Sequence, residues 1–159
     1  MTTTRRKVAA EGIIDALPDW FTALVQLNGL IAERMGLVVT DFHCLHELNR
    51  GGPATASSLA DRVGLTAGSV SRMIDRLEAA DCVRRVPDPH DRRKILIEPT
   101  PEGLERVADY YAGLTVRTRE NLDSLDDEQL RVLLHFVQTA LDDTAAEVAR
   151  LRSTAAAAE

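Results

Sequence analysis

The fold is decided by residues 55–98, which read TASSLADRVGLTAGSVSRMIDRLEAADCVRRVPDPHDRRKILIE. The first half of this stretch predicts two short helices capped by Thr55 and Thr66, because a threonine side chain can accept a hydrogen bond from a first-turn N–H. Between the helices, Gly64 suits the left-handed conformation that often follows a helix end. The second helix is expected to run to about Ala80, and the helical spacing of Val70, Ile74 and Leu77 predicts its buried face. Two short helices joined by a tight turn predict a helix-turn-helix.

The second half of the stretch predicts a β-hairpin. Apolar and polar residues alternate over residues 83–86 and again over 95–98, which is typical of short strands with one buried face. The segment between them, residues 87–93, contains two prolines, two aspartates and two arginines, so its polar tip must project into solvent. An exposed basic hairpin beside a helix-turn-helix has the geometry of a wing.

Helical patterns lie on both sides of this stretch. Upstream, apolar residues recur at helical spacing on one face of a helix that extends over residues 20–35 and ends at Gly36; Pro18 marks a kink or a first turn. Thr40 is expected to cap a second, short helix that ends at the Gly-Gly-Pro of residues 51–53. The apolar face of the first helix consists of Trp20, Leu24, Leu27 and Ile31.

Two further helices are predicted downstream. Thr100 and Pro101 form a helix start, and residues 126–129 resemble a capping box. The last helix has apolar residues at nearly heptad spacing, and its alanine-rich end is expected to fray. The predicted architecture is mainly α with a small β-hairpin wing: an N-terminal dimerisation helix (1–36), a winged helix-turn-helix domain (37–100), C-terminal dimerisation helices (101–152) and a frayed tail (153–159).

The charge distribution favours a nucleic-acid partner despite a net charge of −6. Residues 62–94 contain eight Arg or Lys and five Asp or Glu, a balance of +3, whereas residues 99–159 contain six and twelve, a balance of −6. DNA responds to the local field, so a basic middle between acidic flanks suits a DNA contact by the middle. No apolar run approaches the ~20 residues of a membrane span, and no signal core follows the basic N-terminus, so we expect a cytoplasmic protein without membrane contact.

The recognition helix of a helix-turn-helix needs small or polar residues at its N-terminus, because bulky ones keep its backbone away from the base edges. Arg72 can pair bidentately with guanine, and Arg76, one turn later, is better placed for a phosphate. Simple helix capping is the alternative for the small residues at this helix start, and a solvated charge cluster that keeps an edge strand from aggregating is the alternative for the basic hairpin. The predicted DNA contacts are Thr66, Ala67, Gly68, Ser69, Ser71, Arg72 and Arg76 in the helix and Arg92, Arg93 and Lys94 in the wing.

Residues 16–150 resemble the MarR family of transcriptional regulators. The most specific match is Asp91-Arg92-Arg93 followed by residues 99–103, which read Pro-Thr-Pro-Glu-Gly where the family pattern is Leu-Thr-x-x-Gly. Pro99 replaces the usual leucine, so this strand-to-helix junction is expected to be stiffer. Further matches are Leu59-Ala60, Leu65-Thr66, Val70-Ser71-Arg72 and Ile74-Asp75-Arg76-Leu77-Glu78.

The resemblance implies a homodimer with interlaced terminal helices that binds a pseudo-palindromic operator on double-stranded DNA. It also implies a repressor that a small phenolic or carboxylate effector releases, with Trp20 and His43 as the expected effector contacts. Packing in the dimer core is the alternative for Trp20. In the wing, the resemblance implies that Arg93 braces the hairpin against Asp91 while the tip reaches DNA.

Other functions find less support in the sequence. We identify no nucleophile elbow, phosphate loop or metal-ligand spacing, so no enzymatic activity, cofactor or metal site is expected; His43 and His46 would need further ligands. An oxidation-responsive regulator of the same fold is an alternative. The first helix lacks the cysteine that this branch of the family uses, so only Cys44 and Cys82 could serve as the reactive thiol. A helical adaptor that does not bind DNA is a second alternative. The arginines of the predicted recognition helix and wing argue against it.

Overall fold

A computed structural model describes residues 2–156 of the chain, with side chains at positions 5–154. Over that range the chain is mostly helical with one antiparallel hairpin, which confirms the predicted fold class. None of the described helices has both the length and the apolar character needed to cross a membrane. In chain order the elements are α1 (Thr2–Met35), α2 (Val39–Gly51), α3 (Ala56–Val63), α4 (Ala67–Ala79), β1 (Val83–Pro87), β2 (Ile95–Pro99), α5 (Pro101–Asp123) and α6 (Asp127–Ala156).

The chain forms two compact units, one up to residue 110 and one from residue 111 onward. The first unit contains α1 to β2 and the start of α5, and the second contains the rest of α5 and α6. The hydrophobic core lies in the first unit, where α2, α3, α4 and the hairpin enclose it. The predicted buried face of α4 is confirmed, and Met73 adds to it; the fully buried members of the core include Leu48, Leu59, Val70, Met73, Ile74, Leu77 and Ile97.

The hairpin is joined to the helix-turn-helix by backbone hydrogen bonds. Within the hairpin, Val83 pairs with Pro99 and Pro87 with Ile95. Ala54, just before α3, exchanges two backbone hydrogen bonds with Ile97, at 3.1 and 2.8 Å between nitrogen and oxygen. A single bridge at Ala54 therefore joins the base of the two-stranded wing to the helix-turn-helix, and residues 88–94 form the tip beyond the strands.

The predicted helix ends are largely confirmed. The Thr55 and Thr66 side chains accept hydrogen bonds from the N–H groups of Ser58 and Ser69, and Gly64 has a φ of +67°. Glycine adopts that conformation without the Cβ clash of other residues, so the turn between α3 and α4 can be tight. Two later caps also form: the Thr100 hydroxyl accepts from the Gly103 N–H, and the backbone N–H groups of Asp126 and Gln129 each donate to the other residue's side-chain oxygen.

Two predicted boundaries are wrong, those of α2 and of the C-terminal tail, and at Pro18 one of the two alternatives is excluded. Thr40 lies inside the first turn of α2, and Val38 precedes that helix, with its N–H donating to the Asp41 carboxylate at 2.9 Å. The first helix begins at Thr2 and continues through Pro18, so the proline does not start it. Residues 153–156 continue α6 instead of fraying, because alanine favours helix strongly. The rest of the predicted tail, residues 157–159, lies outside the described residues.

Candidate nucleic-acid interface

The N-terminus of α4 presents small residues to solvent. Thr66, Ala67 and Gly68 are exposed, and Ser69 is half-buried. The Thr66 hydroxyl also donates to Ser69 Oγ at 3.0 Å, so these two hydroxyls stay close to the helix end. With no long side chain in the first turn, the backbone of α4 can approach a groove closely.

Arg72 lies one turn further along α4 and is exposed, like its neighbour Ser71. Its side chain has no hydrogen-bond or ion-pair partner among the described residues. A polar side chain without an internal partner is available for an external one. Beside it lies a small cavity of about 260 Å³. Its lining consists of Thr40, Leu65, Ser69, Arg72, Met73 and Arg76.

Arg76 has a very different environment. Its Nε and Nη2 donate to the two oxygens of Asp41 at 3.0 and 2.7 Å, which forms a bidentate ion pair between α4 and α2. The Asp41 side chain is fully buried, and that of Arg76 is 39% exposed. The hydrogen bond with Asp41 raises the pKa of Arg76 further above its usual value. A phosphate contact by Arg76 stays a prediction, and two of its three guanidinium nitrogens already have an internal partner.

The wing tip is organised by two aspartates. Asp88 accepts hydrogen bonds from the N–H groups of His90 and Asp91, at 2.8 and 3.4 Å, and the His90 bond helps to hold the pKa of Asp88 below its usual value. Asp91 Oδ1 accepts from both the backbone N–H and the Nε of Arg93, at 3.1 and 3.2 Å. The contact expected between Arg93 and Asp91 is therefore present in the structure.

The remaining basic residues of the hairpin divide into paired and unpaired side chains. Arg84 pairs with Glu98 across the two strands, with 2.5 Å between Nε and Oε1. Arg85 donates to Asp75 at 2.7 Å and also to Glu78, so it connects β1 to α4. Arg92 is exposed and its side chain has no partner among the described residues. The exposed cation of Lys94 lies near Asp88.

The end of α4 and the start of α5 meet at a close backbone contact. Asp81 has a φ of +52°, and its carbonyl accepts from the Thr100 hydroxyl at 2.6 Å. Arg106 of α5 donates to the carbonyl of Ala80, at the C-terminal end of α4. These bonds, together with that between the Cys82 carbonyl and the Thr100 N–H at 3.0 Å, fix the direction in which the chain leaves the recognition helix.

The two residues predicted to bind an effector lie on different helices. Trp20 is 57% exposed on α1 and stacks on Phe21, with 5.8 Å between ring centroids. His43 is exposed on α2, 3.8 Å from a Glu47 oxygen. A larger cavity, of about 480 Å³, lies elsewhere in the first unit and contains neither of them. It is lined by Arg34, Met35, Ala79, Ala80, Asp81, Arg106, Asp109 and Tyr110.

Both cysteines are buried and reduced. Burial, with a smaller contribution from the nearby Asp41 carboxylate, raises the pKa of the Cys44 thiol to about 12. Burial also raises the pKa of Cys82, despite the Arg106 guanidinium 3.6 Å from its sulfur. Because the thiolate is the reactive form, neither environment favours oxidation chemistry.

Comparison with known proteins agrees with this geometry. A sequence model of the MarR family matches residues 37–95, which contain α2 to the start of β2. A Bacillus subtilis (strain 168) protein named as the uncharacterized HTH-type transcriptional regulator YcgE is 34% identical over 131 residues, or 82% of this chain and 85% of the relative. The chain belongs to the MarR family. It is therefore a transcription regulator with a winged-helix DNA-binding fold.

Solved structures show the same fold. The YusO protein from Bacillus subtilis has a TM-score of 0.60 at 23% identity, covering 86% of this chain and 96% of that one. The F27L mutant of MepR from S. aureus, solved bound to an oligodeoxyribonucleotide, has a TM-score of 0.56 at 18% identity, covering 82% and 97%. At these identities the likeness concerns the MarR fold alone.

Sequence reasoning missed two residues that connect α4 to neighbouring elements beside the candidate interface. Asp41 holds Arg76, and Arg85 holds Asp75 and Glu78. Asp41 carried one readable signal, since an acid in the first turn of a helix can bond a backbone N–H there. Its pairing with Arg76, which lies 35 residues away on another helix, had no such signal in the sequence.

Proposed function

We propose that this MarR-family regulator is a repressor that binds, as a homodimer, a pseudo-palindromic operator and leaves it when a small effector binds. The observation that carries the proposal is the unpaired, exposed Arg72 behind the small N-terminal residues of α4, with the unpaired Arg92 on the wing. The helix suits base readout in a major groove, and the wing arginine suits a phosphate or the adjacent minor groove.

The homodimer is supported by apolar surface at both ends of the chain. On α6, Leu134, Val137 and Leu141 are each more than half exposed, and on α1 the same holds for Phe21 and Val25. A soluble monomer rarely leaves such continuous apolar stripes in water. A second copy of the chain would cover them and would supply the second winged domain that a palindromic site requires.

The effector step is supported by the 480 Å³ cavity, whose size suits a small molecule. Arg34 and Arg106 supply cationic donors and Tyr110 a phenol, a set that suits a carboxylate or phenolic compound. The cavity also borders Ala80 and Asp81, at the end of the recognition helix, so an occupant there would press on the element that reads DNA. Trp20 and His43 remain the alternative effector contacts.

The test is selection of duplexes by the full-length protein from a random pool, followed by titration of the enriched duplex and a scrambled one. We expect tight binding with half-sites about one helical turn apart and a preference for the enriched duplex of about a thousandfold or more. A panel of aromatic acids and phenols is then added, and Arg34→Ala should reduce the response to an active compound. Equal affinity for both duplexes, or enrichment of none, would favour the adaptor that does not bind DNA.

A further inference from the structure

Asp41 is the one buried charged residue among the side chains that the structure describes. Its Oδ2 accepts hydrogen bonds from the Val38 N–H at 2.9 Å and from Arg76 Nε at 3.0 Å, and its Oδ1 accepts from Arg76 Nη2 at 2.7 Å. Both oxygens are thus satisfied without water. The carboxylate joins the first turn of α2 to the middle of the recognition helix.

An ion pair of this kind is a poor source of stability, because removing two charges from water offsets much of their attraction. What distinguishes the ion pair is that it fixes the relative orientation of its two side chains. A guanidinium and a carboxylate that share two hydrogen bonds lie in one plane, whereas the apolar contacts of Val70, Met73 and Ile74 impose no such orientation. The pair therefore adds a directional restraint on rotation of α4 about its own axis to the restraint that the packed core supplies.

Arg76 and Arg72 are four residues apart, so they lie on one face of α4. Fixing the direction of Arg76 fixes the direction of that face and hence of Arg72. The same bonds neutralise the charge of Arg76, which reduces its attraction for a phosphate. The arrangement separates two roles: Arg72 is exposed for contact, and Arg76 is held for orientation.

We propose that Asp41 is a positioning residue for operator recognition: by holding Arg76 it sets the angle at which the recognition helix presents Arg72 to the bases. The inference rests on the proposed function, since it explains how the α4 surface acquires specificity. The ligand of the exposed α4 surface is double-stranded DNA, and Asp41 itself does not contact it.

The test compares Asp41→Asn and Arg76→Gln with the parent on the enriched and scrambled duplexes across a salt series. The asparagine keeps an oxygen for the Val38 N–H, so the start of α2 is preserved. We expect both variants to lose about tenfold or more of the preference for the enriched duplex. Asp41→Asn frees a cation near DNA, so its salt dependence should steepen by up to about one phosphate contact, whereas Arg76→Gln should leave the salt dependence unchanged.

Glu47→Gln is the matched control, because it removes the same charge from the same helix at a residue whose ion pair is with His43 of α2 and not with α4. It should leave the preference intact. If either single variant fails to fold, the double variant Asp41→Asn/Arg76→Gln avoids a lone buried charge and should fold yet lack the preference. An undiminished preference in a folded Asp41 variant would overturn the proposal. So would a loss of about one phosphate contact in Arg76→Gln, because Arg76 would then bind DNA directly.

A DNA-free measurement separates this inference from the proposed function. Residual dipolar couplings of backbone amides give the orientation of α4 relative to α2 in the parent and in Asp41→Asn. We expect the two orientations to differ, and the Glu47→Gln orientation to match the parent. If the parent shows no duplex preference, the proposed function fails and operator positioning fails with it, whereas an unchanged α4 orientation in a parent that does prefer the enriched duplex overturns the inference alone.

Discussion

At the scale of single residues, one turn of α4 holds two arginines with opposite environments. Arg72 is exposed without a partner among the described residues, whereas Arg76 donates twice to a fully buried carboxylate. The wing repeats the division, because Arg93 bonds Asp91 while the Arg92 side chain next to it has no partner among the described residues. In each pair one arginine is bonded within the protein and the other is exposed without a side-chain partner among the described residues.

The prediction for Arg72 concerns base readout. Arg72→Ala should weaken binding to the enriched duplex by about 1–3 kcal/mol and relax the preference at one base pair, because a bidentate contact is lost. Arg72→Lys is the informative control: it keeps the charge but not the planar fork, so it should keep most of the salt dependence and still lose base preference. Fluorescence anisotropy on single-base-variant duplexes measures both, and an Arg72→Ala protein with parental selectivity would contradict the assignment.

The prediction for the wing separates contact from bracing. Arg92→Ala should reduce the slope of log affinity against log salt by about 1, because fewer counterions are released. Arg93→Ala should act by loosening the hairpin, and Asp91→Ala should reproduce its effect, because each variant removes the ion pair between these two side chains. The salt titration and amide exchange of the wing measure the two effects. An Arg92 variant with the parental slope, or an Asp91 variant unlike the Arg93 variant, would count against this division.

At the scale of elements, the recognition helix is held on several sides. α2 holds it through Asp41, β1 through Arg85, and α5 through the bond from Arg106 to the Ala80 carbonyl. The start of α5 lies so close to the chain after α4 that residue 103 must be a glycine. A Cβ on Gly103 would lie 2.6 Å from Cys82 Cα and 2.9 Å from the Asp81 carbonyl oxygen. Because those atoms are backbone, they have little freedom to move away.

Gly103→Ala should therefore destabilise the protein by about 1–3 kcal/mol, the usual cost of overpacking. The same helix offers a matched control, since a Cβ on Gly113 meets only the end of the Arg117 side chain, at 3.5 Å. Gly113→Ala should stabilise by about 0.5–1 kcal/mol, because alanine has the higher helix propensity. Urea unfolding at one protein concentration measures both. Equal stability of the two variants would show that the junction tolerates a side chain.

At the scale of the whole molecule, the described chain leaves much apolar surface in water. Apart from Leu130 and Ala140, the described side chains of α6 are exposed. In α1 burial is concentrated near the C-terminal end, at Ile31 and Ala32, while Trp20 is exposed. Surface of this kind is expected of a subunit that completes its core in a homodimer.

Leu134→Asp tests the dimer. In a monomer the substitution would be nearly harmless, because Leu134 is 57% exposed; in the proposed dimer core it places an unpaired charge away from water. We expect the dimer to dissociate and operator binding to be lost, because one winged domain makes too few contacts. Thr139→Asp, on the opposite side of α6, should keep both properties. Analytical ultracentrifugation at micromolar concentration gives the masses, and a monomeric parent that still binds the operator would refute the dimer.

The fold class and most helix ends were predictable from the sequence, because they depend on local rules. The caps at Thr55, Thr66 and Thr100 and the turn at Gly64 each need only neighbouring residues, and periodicity identified the buried face of α4. The start of α2 was mispredicted for a related reason. Thr40 has the preferred capping side chain, but Asp41 bonds the Val38 N–H and the helix starts earlier.

What the sequence alone determined is the set of elements and the candidate DNA-contacting surface; what the tertiary structure decided is the state of each charge on that surface. In sequence, nothing distinguishes the paired from the unpaired cations among Arg72, Arg76, Arg85 and Arg92. Their partners lie on other elements, as with Asp41 for Arg76, or are absent among the described residues, as for Arg72. Pairing of this kind depends on distances between residues far apart in the chain, which no local pattern encodes, because an ion pair forms only after the core has set the helices side by side.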